Sequence, residues 1–325
     1  MPDTVLSNLD ILRKEFFAED VAKILNETLL FPPGSLPSFA ADAPSIRYYE
    51  DLYSDSSDPL KLDPILLGSS AEFPTVKVSS ISEKFAGLLK YGLAIQFDED
   101  VRRYADRLDE IVRTRDRVGY WLAAFRNKIA TDAIVKRTWG AANDPTDAVT
   151  GPRVLEIGTA WTASGANPVS DVIDAIKRIE DQTGYAYTLT DLWMKPTTYF
   201  AFVKYVVDND AAVWQGSPFG PLTVPAIGGV NFHKVLAAPS DTFVSTNGEV
   251  ALGMDMRAGK QAVTRYFSQN QGDVPESGGY TQAGDGLFVH SFFNDLNHKL
   301  TYQFWFEEVY VNREPRGVIL LDGTT

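Results

Sequence analysis

Glu307 and Glu308 stand side by side, and Asp98, Glu99 and Asp100 form a second acidic cluster. Either set could supply the acid and base of a hydrolytic pair, which needs two carboxyls flanking one bond. Neighbouring residues on a strand point to opposite faces, so Glu307 and Glu308 would not share a substrate. With 43 acidic residues in the chain, adjacent carboxylates arise often, and neither cluster stands above that background. The three histidines, His233, His290 and His298, lack the His-x-x-x-His spacing that puts two ligands on one helix face, and there is no cysteine. Thiolate metal sites, disulfides and a cysteine nucleophile are therefore excluded together. The run from Gly253 to Gln261 has one residue too many for a phosphate-cradling loop and ends in Gln where Ser or Thr is needed, so it reads as a turn between strands. No Gly-x-Ser-x-Gly elbow occurs, and the glycines from Gly278 to Gly286 lack dinucleotide-site spacing. No catalytic, cofactor-binding or metal-binding residue is expected, and no cofactor. That absence, in a well-folded acidic chain, favours a structural or assembly role.

The chain has 325 residues, 44% of them apolar and 12% aromatic, enough for a sizeable core and about two domains. A formal charge of −13 argues against a surface that binds duplex nucleic acid. No apolar stretch approaches the roughly 18 residues of a membrane span, and Met1-Pro2-Asp3 opens without a basic and apolar leader. A soluble protein made in the cytoplasm is expected.

Several elements must position whatever function there is. Periodic apolar residues predict a helix from Asn8 to Leu30, stopped by Pro32-Pro33-Gly34. From Phe31 to Pro74 the chain is too rich in Pro, Gly and acidic residues to form its own core, so it is either a linker or an arm ordered against other chains. Alternation in Val76-x-Val78 and Leu93-x-Ile95-x-Phe97 predicts strands. A long helix follows from Glu99 to Trp139, with Asp98 as N-cap and an inward stripe of Val101, Tyr104, Leu108, Ile111, Val118, Leu122, Phe125 and Ile129. Its other face mixes Arg102, Arg103, Arg113, Arg115 and Arg117 with acids, as a solvated or inter-subunit face would. Asn167-Pro168 opens another helix with the stripe Val172, Ile173, Ile176 and Ile179, ended at Gly184. A buried strand from Leu189 to Met194 leads to a helix starting at Lys195-Pro196, with Tyr199, Phe200, Val203, Val206 and Val207 inward. Further strands are expected at Lys234–Ala237, Glu249–Met254 and Gly317–Leu321. From Leu300 the set Leu300, Tyr302, Phe304, Phe306 alternates, then Val309 and Val311 continue one residue out of phase, which predicts a β-bulge near Glu307-Glu308.

This order of elements resembles the major capsid protein fold of tailed viruses, the Hong Kong ninety-seven-like capsid fold, an α+β class that encapsulin shells share. The resemblance covers nearly the whole chain, and its most specific part runs from Ser170 to Tyr185 and on through Leu192-Trp193-Met194-Lys195-Pro196 to Tyr199. Lys195 replaces the Asn frequent there. Gly229 to Met256 and Leu300 to Leu321, with Glu307-Glu308 and Arg313-x-Pro315, are similar to later strands of that family. The resemblance implies an N-terminal helix and arm over residues 1–45 and an extension loop over 46–91. It further implies a peripheral domain with a spine helix over 92–166, an axial domain over 167–262 and a return to the peripheral domain over 263–325. It implies pentamers and hexamers in an icosahedral shell around packaged double-stranded DNA, located in the virion and assembled in the host cytoplasm. Implied partners are further copies of the chain, with portal, scaffold or cement proteins, and no membrane. Val76, Val78, Ile81, Arg103 and Arg113 are the expected inter-subunit contacts. An encapsulin-type shell around a cargo enzyme, or a soluble acidic α/β enzyme, are the alternatives.

Overall fold

The computed structural model describes residues 14–41, 43–51, 81–98, 108–138, 153–209, 229–237, 239–245, 248–268, 281–282, 286–294 and 298–325. In chain order these form helix α1 (Lys14–Thr28), strands β1 (Ser38–Ala41), β2 (Ser45–Asp51), β3 (Ile81–Gly87) and β4 (Leu89–Asp98), and helix α2 (Leu108–Thr138). Strand β5 (Arg153–Glu156), helix α3 (Pro168–Thr183), strand β6 (Asp191–Met194) and helix α4 (Pro196–Asp208) follow. The remaining strands are β7 (Asn231–Lys234), β8 (Val244–Ser245), β9 (Gly248–Met254), β10 (Val263–Ser268), β11 (Thr281–Gln282), β12 (Phe288–Asn294), β13 (Lys299–Asn312) and β14 (Val318–Asp322). A first sheet runs β1-β10-β13-β12-β11, with β4 also on β13; a second runs β5-β14-β9-β6-β7, with β8 on β9. β2 and β3 pair only with each other. Val76, Val78 and Arg103 lie outside the described residues.

The aromatic strand β13 organises the first sheet. Tyr302, Phe304 and Phe306 face a core that also takes Phe97 of β4, Phe17, Val21 and Leu25 of α1, and Ile111, Val118 and Leu122 of α2. Phe17 stacks on Tyr302 at 4.9 Å between ring centroids. The N-terminal helix is therefore part of this core and not a separable arm. The expected bulge is absent: β13 keeps one unbroken register with β4 from Lys299↔Asp98 to Glu308↔Leu89, and with β10 from Phe267↔Glu308 to Val263↔Asn312. The phase slip has another cause. Glu308 occupies an inward position where a hydrophobic residue would continue the pattern, while Val309 and Val311 on the opposite face pack under Ile46 and Tyr48 of β2.

Asp98 closes β4 opposite Lys299, with which it also forms an ion pair at 3.5 Å; the residues it was expected to cap, 99–107, lie outside the described residues. Along α2 the buried face rotates. Ile111, Val118 and Leu122 face the first core, whereas Ala130 and Ile134 face a second cluster with Trp193, Val235 and Leu252. Phe125, expected inside, is left outside by this rotation and is half exposed.

The second sheet carries α3 and α4 against one face, around Val172, Ile179, Leu192, Phe202 and Ile319. The caps of α3 are those the sequence predicts: the Asn167 side chain accepts from the Ser170 N–H, and Gly184 takes a left-handed conformation with φ 57°. Ile173, Phe200 and Val207 are exposed rather than inward, because Ala175 and Phe202 complete the buried stripes on the other shoulder of each helix. The strand expected at Lys234–Ala237 lies earlier, at Asn231–Lys234, in parallel with β6. Val318–Asp322, grouped by order with the aromatic strands, instead pairs β5 and β9 in the second sheet.

Candidate assembly surfaces

Among the described residues, no group of three or more His, Asp or Glu could hold a metal ion. No described helix is long and apolar enough to cross a membrane. Among the described residues, one cluster of charge lies inside. Strand alternation turns Glu307 outward, 3.9 Å from Lys90, and Glu308 inward beneath α2. Arg126 of α2 donates to both Glu308 oxygens, Nε to Oε1 at 3.0 Å and Nη2 to Oε2 at 2.8 Å. Arg265 of β10 donates from Nε to Oε2 at 2.7 Å, and the Tyr310 hydroxyl reaches Oε1 at 3.3 Å. Burial alone would raise the Glu308 carboxyl, but Arg126 and then Arg265 overcome it and hold the group below its ordinary value. Buried between two guanidiniums that favour its ionised form, this carboxylate has the surroundings of a structural ion pair. Its role is to fasten the long helix to the sheet.

A second junction is polar but uncharged. Asn127, one residue further along α2, accepts from the Leu30 N–H at 2.6 Å and donates to the carbonyls of Thr28 at 3.1 Å and Ala237 at 2.6 Å. One buried amide thus ties the end of α1, the middle of α2 and the segment after β7 together. Sequence reading passed over both residues, since Arg126 and Asn127 look like an ordinary polar turn of a helix. The phase slip at Glu308 was the available signal for the first.

The exposed surface is where the molecule departs from a self-contained globule. Arg113, Arg117, Tyr120, Trp121 and Phe125 are all exposed on α2 and cover an arc of roughly 140° at 3.6 residues per turn. Trp121 keeps 54% of its surface in solvent and Phe125 50%. Three exposed aromatics within two turns of one helix make this face a candidate partner surface. The β2–β3 ribbon has the same two-sided character. Ile46 and Tyr48 pack on Val311, whereas Phe85, in register with Arg47, is 72% exposed on the opposite face. Leu89, at the start of β4, is also exposed. Ile81 begins β3 in register with Asp51, and Arg113 lies on the exposed arc of α2. Tyr120 and Trp121 also lie on this arc and were not among the residues the sequence pointed to.

Comparison with known proteins gives one consistent result. The model of a family described as "Phage capsid protein" matches residues 82–318. No curated protein sequence matches. A capsid of a native GTA particle superposes with a TM-score of 0.58 at 13% identity, covering 100% of this chain and 95% of that one. A chain of Microbacterium phage Oxtober96 gives 0.57 at 12% identity, covering 89% of each. The holo-SrpI encapsulin complex of Synechococcus elongatus gives 0.54 at 13% identity, covering 89% and 85%. At these identities the structural likeness establishes the fold, the Hong Kong ninety-seven-like capsid fold.

Proposed function

The chain belongs to the phage capsid protein family and is a structural protein of the virion shell, and we propose that its copies close as pentamers and hexamers into an icosahedral shell around packaged double-stranded DNA. As a major capsid protein it works through its surfaces, so no enzymatic activity is part of the reading. Residues 46–91 act as the extension loop, 92–166 with α2 as the peripheral domain and spine, and 167–262 as the axial domain around the five- and sixfold axes. β14, which completes the second sheet, travels with the axial part, while the rest of 263–325 returns to the peripheral sheet. Assembly takes place in the host cytoplasm, with portal, scaffold or cement proteins as further partners. The acidic surface suits a container whose contents must slide during packing.

The observation that carries this reading is the exposed aromatic and basic arc on α2 together with a ribbon, β2–β3, that leaves Arg47 and Phe85 exposed in the same chain. In a shell of identical copies, the ribbon of one copy meets the helix of the next. Val76, Val78 and Ile81 then form the contacting side, and the acidic tract Asp51–Asp58 faces Arg103 and Arg113 of the neighbour. A stable contact of this kind buries about 1,000 Å² or more. Because its rim charges are screened, particle stability changes with ionic strength. Hydrogen exchange tests it directly: amides from Phe73 to Ile81 are protected in particles and exchange freely in protomers. Equal protection in both states would remove the extension-loop assignment. Because an encapsulin shares the fold, purified particles must also be assayed for nucleic acid; a cargo enzyme without a genome would assign the encapsulin reading instead.

A further inference from the structure

Strands β6 and β7 run parallel, and α4 crosses between them. Phe202 of α4 stacks on Phe232 of β7 at 4.5 Å between ring centroids, which closes the inner side of this unit. Its outer side is open. Phe200 is 55% exposed, Leu236 63% and Val207 42%. These residues form one strip. Phe200, Lys204 and Val207 are spaced as neighbours on a single helix face, and Lys234, two residues before Leu236, holds its ammonium 5.2 Å from the centre of the Phe200 ring. β7 is the last strand of its sheet, so among the described residues no further strand flanks this side.

The same unit carries a long connection. Residues 209–230 join α4 to β7, where a helix-to-strand link ordinarily takes about 2–6 residues, and connections of this length are usually functional. From Ala211 to His233 there is no Asp, Glu, Lys or Arg, the longest such stretch in a chain that is 22% charged. It holds Val213, Trp214, Phe219, Leu222 and Ile227, side chains that gain by leaving water. Residues 210–228 lie outside the described residues, but their flanks are fixed where α4 finishes and β7 begins, beside the open strip. A second copy of the strip is a poor match for it, because that would set Lys204 and Lys234 against like charges. An uncharged, aromatic segment meets it without burying an unpaired charge.

We propose that residues 211–228 of one copy lie across the α4–β7 strip of the next. Phe200, Val207 and Leu236 are exposed within the single chain, so their cover comes from another copy. Segment and strip are different parts of the chain, which makes the contact head-to-tail, and repeated with a closing rotation it forms a ring. The inference rests on the reading of a shell built from pentamers and hexamers, and it supplies the contact that joins the axial domains within each.

The chain has no cysteine, so introduced ones report alone. Lys204→Cys on the strip and Gln215→Cys beside Trp214 are made singly and together in the full-length protein. Assembled samples are treated with a short bis-maleimide, run on denaturing gels and viewed by electron microscopy. The double variant should give a ladder that ends at pentamer and hexamer, and mixed single variants should give more dimer than either alone. Adding Phe200→Ser to the double variant should weaken the ladder several-fold. Shells without a ladder overturn the proposal and leave the shell reading standing, whereas a protein that stays monomeric overturns both. A ladder that stops at the dimer would mean a two-fold contact, and blocked labelling of Lys204→Cys without any ladder would give the strip to a different partner; either result overturns the proposal. Should Gln215→Cys not fold, Ser217→Cys takes its place.

Discussion

Replacing Glu308 by Gln keeps the shape of the side chain and removes its charge. The structure then leaves the side chains of Arg126 and Arg265, 1% and 5% exposed, facing each other across a neutral amide. Removing one partner of a buried ion pair costs about 3–5 kcal/mol, because the remaining charge stays desolvated. Against a total stability of roughly 5–15 kcal/mol, the variant protomer is close to unfolding. The neighbouring change Glu307→Gln breaks only the 3.9 Å pair with the exposed Lys90 and should cost about 0–1 kcal/mol. Replacing all three members, with Glu308→Leu, Arg126→Met and Arg265→Met, should recover most of the loss, since no buried charge is then left. Urea unfolding of protomers kept below the assembly concentration, followed by tryptophan fluorescence, measures all three. The pH dependence has a definite sign. A carboxyl held below its ordinary value of 4.5 in the fold contributes stability that is fully present above that value and is lost as pH falls through the depressed one. Below 4.5, wild-type stability should therefore fall more steeply with acid than that of Glu308→Gln. If Glu308→Gln and Glu307→Gln cost the same, the inward carboxylate does not fasten α2 to the sheet.

Other changes separate folding from assembly. Leu122→Asp puts an unpaired carboxylate in the first core and should cost several kcal/mol, about 3 or more, read as loss of near-ultraviolet circular dichroism. Trp121→Ser lies on the exposed arc and should change protomer stability by about 0.5 kcal/mol or less while lowering particle yield in sedimentation; assembly at wild-type yield would free this face of an interface role. Removing residues 1–31 deletes Phe17, Val21 and Leu25 from the core, each contributing about 1.5–3 kcal/mol, so the truncated chain should lose the first domain's fold rather than merely its ability to close shells. A truncated protomer with native near-ultraviolet signal would restore the separable-arm interpretation.

Much of this protein was legible without coordinates. Asn167-Pro168 and Gly184 bound α3, Lys195-Pro196 starts α4, and Leu93, Ile95 and Phe97 point β4 into the core. These are local decisions, made by a cap or a period within a turn or two of the residue concerned. The order of elements carried the family because that order is linear too. The residues the sequence misplaced share a different property: their environment is set by segments far away. Phe125 lies in phase with Leu122, yet it is exposed because α2 passes from one core to another and its buried face turns with it. Glu308 looks like half of a surface acid pair until Arg126, 182 residues away, and Arg265 close over it. The slip that suggested a bulge is the trace of that buried charge in an otherwise regular strand. Likewise Val318–Asp322 could join either sheet by composition, and only the backbone partners offered by β5 and β9 decide which. Periodicity tells a residue which side of its own element it stands on; what that side meets depends on contacts closed across the chain, and those exist only in the folded structure.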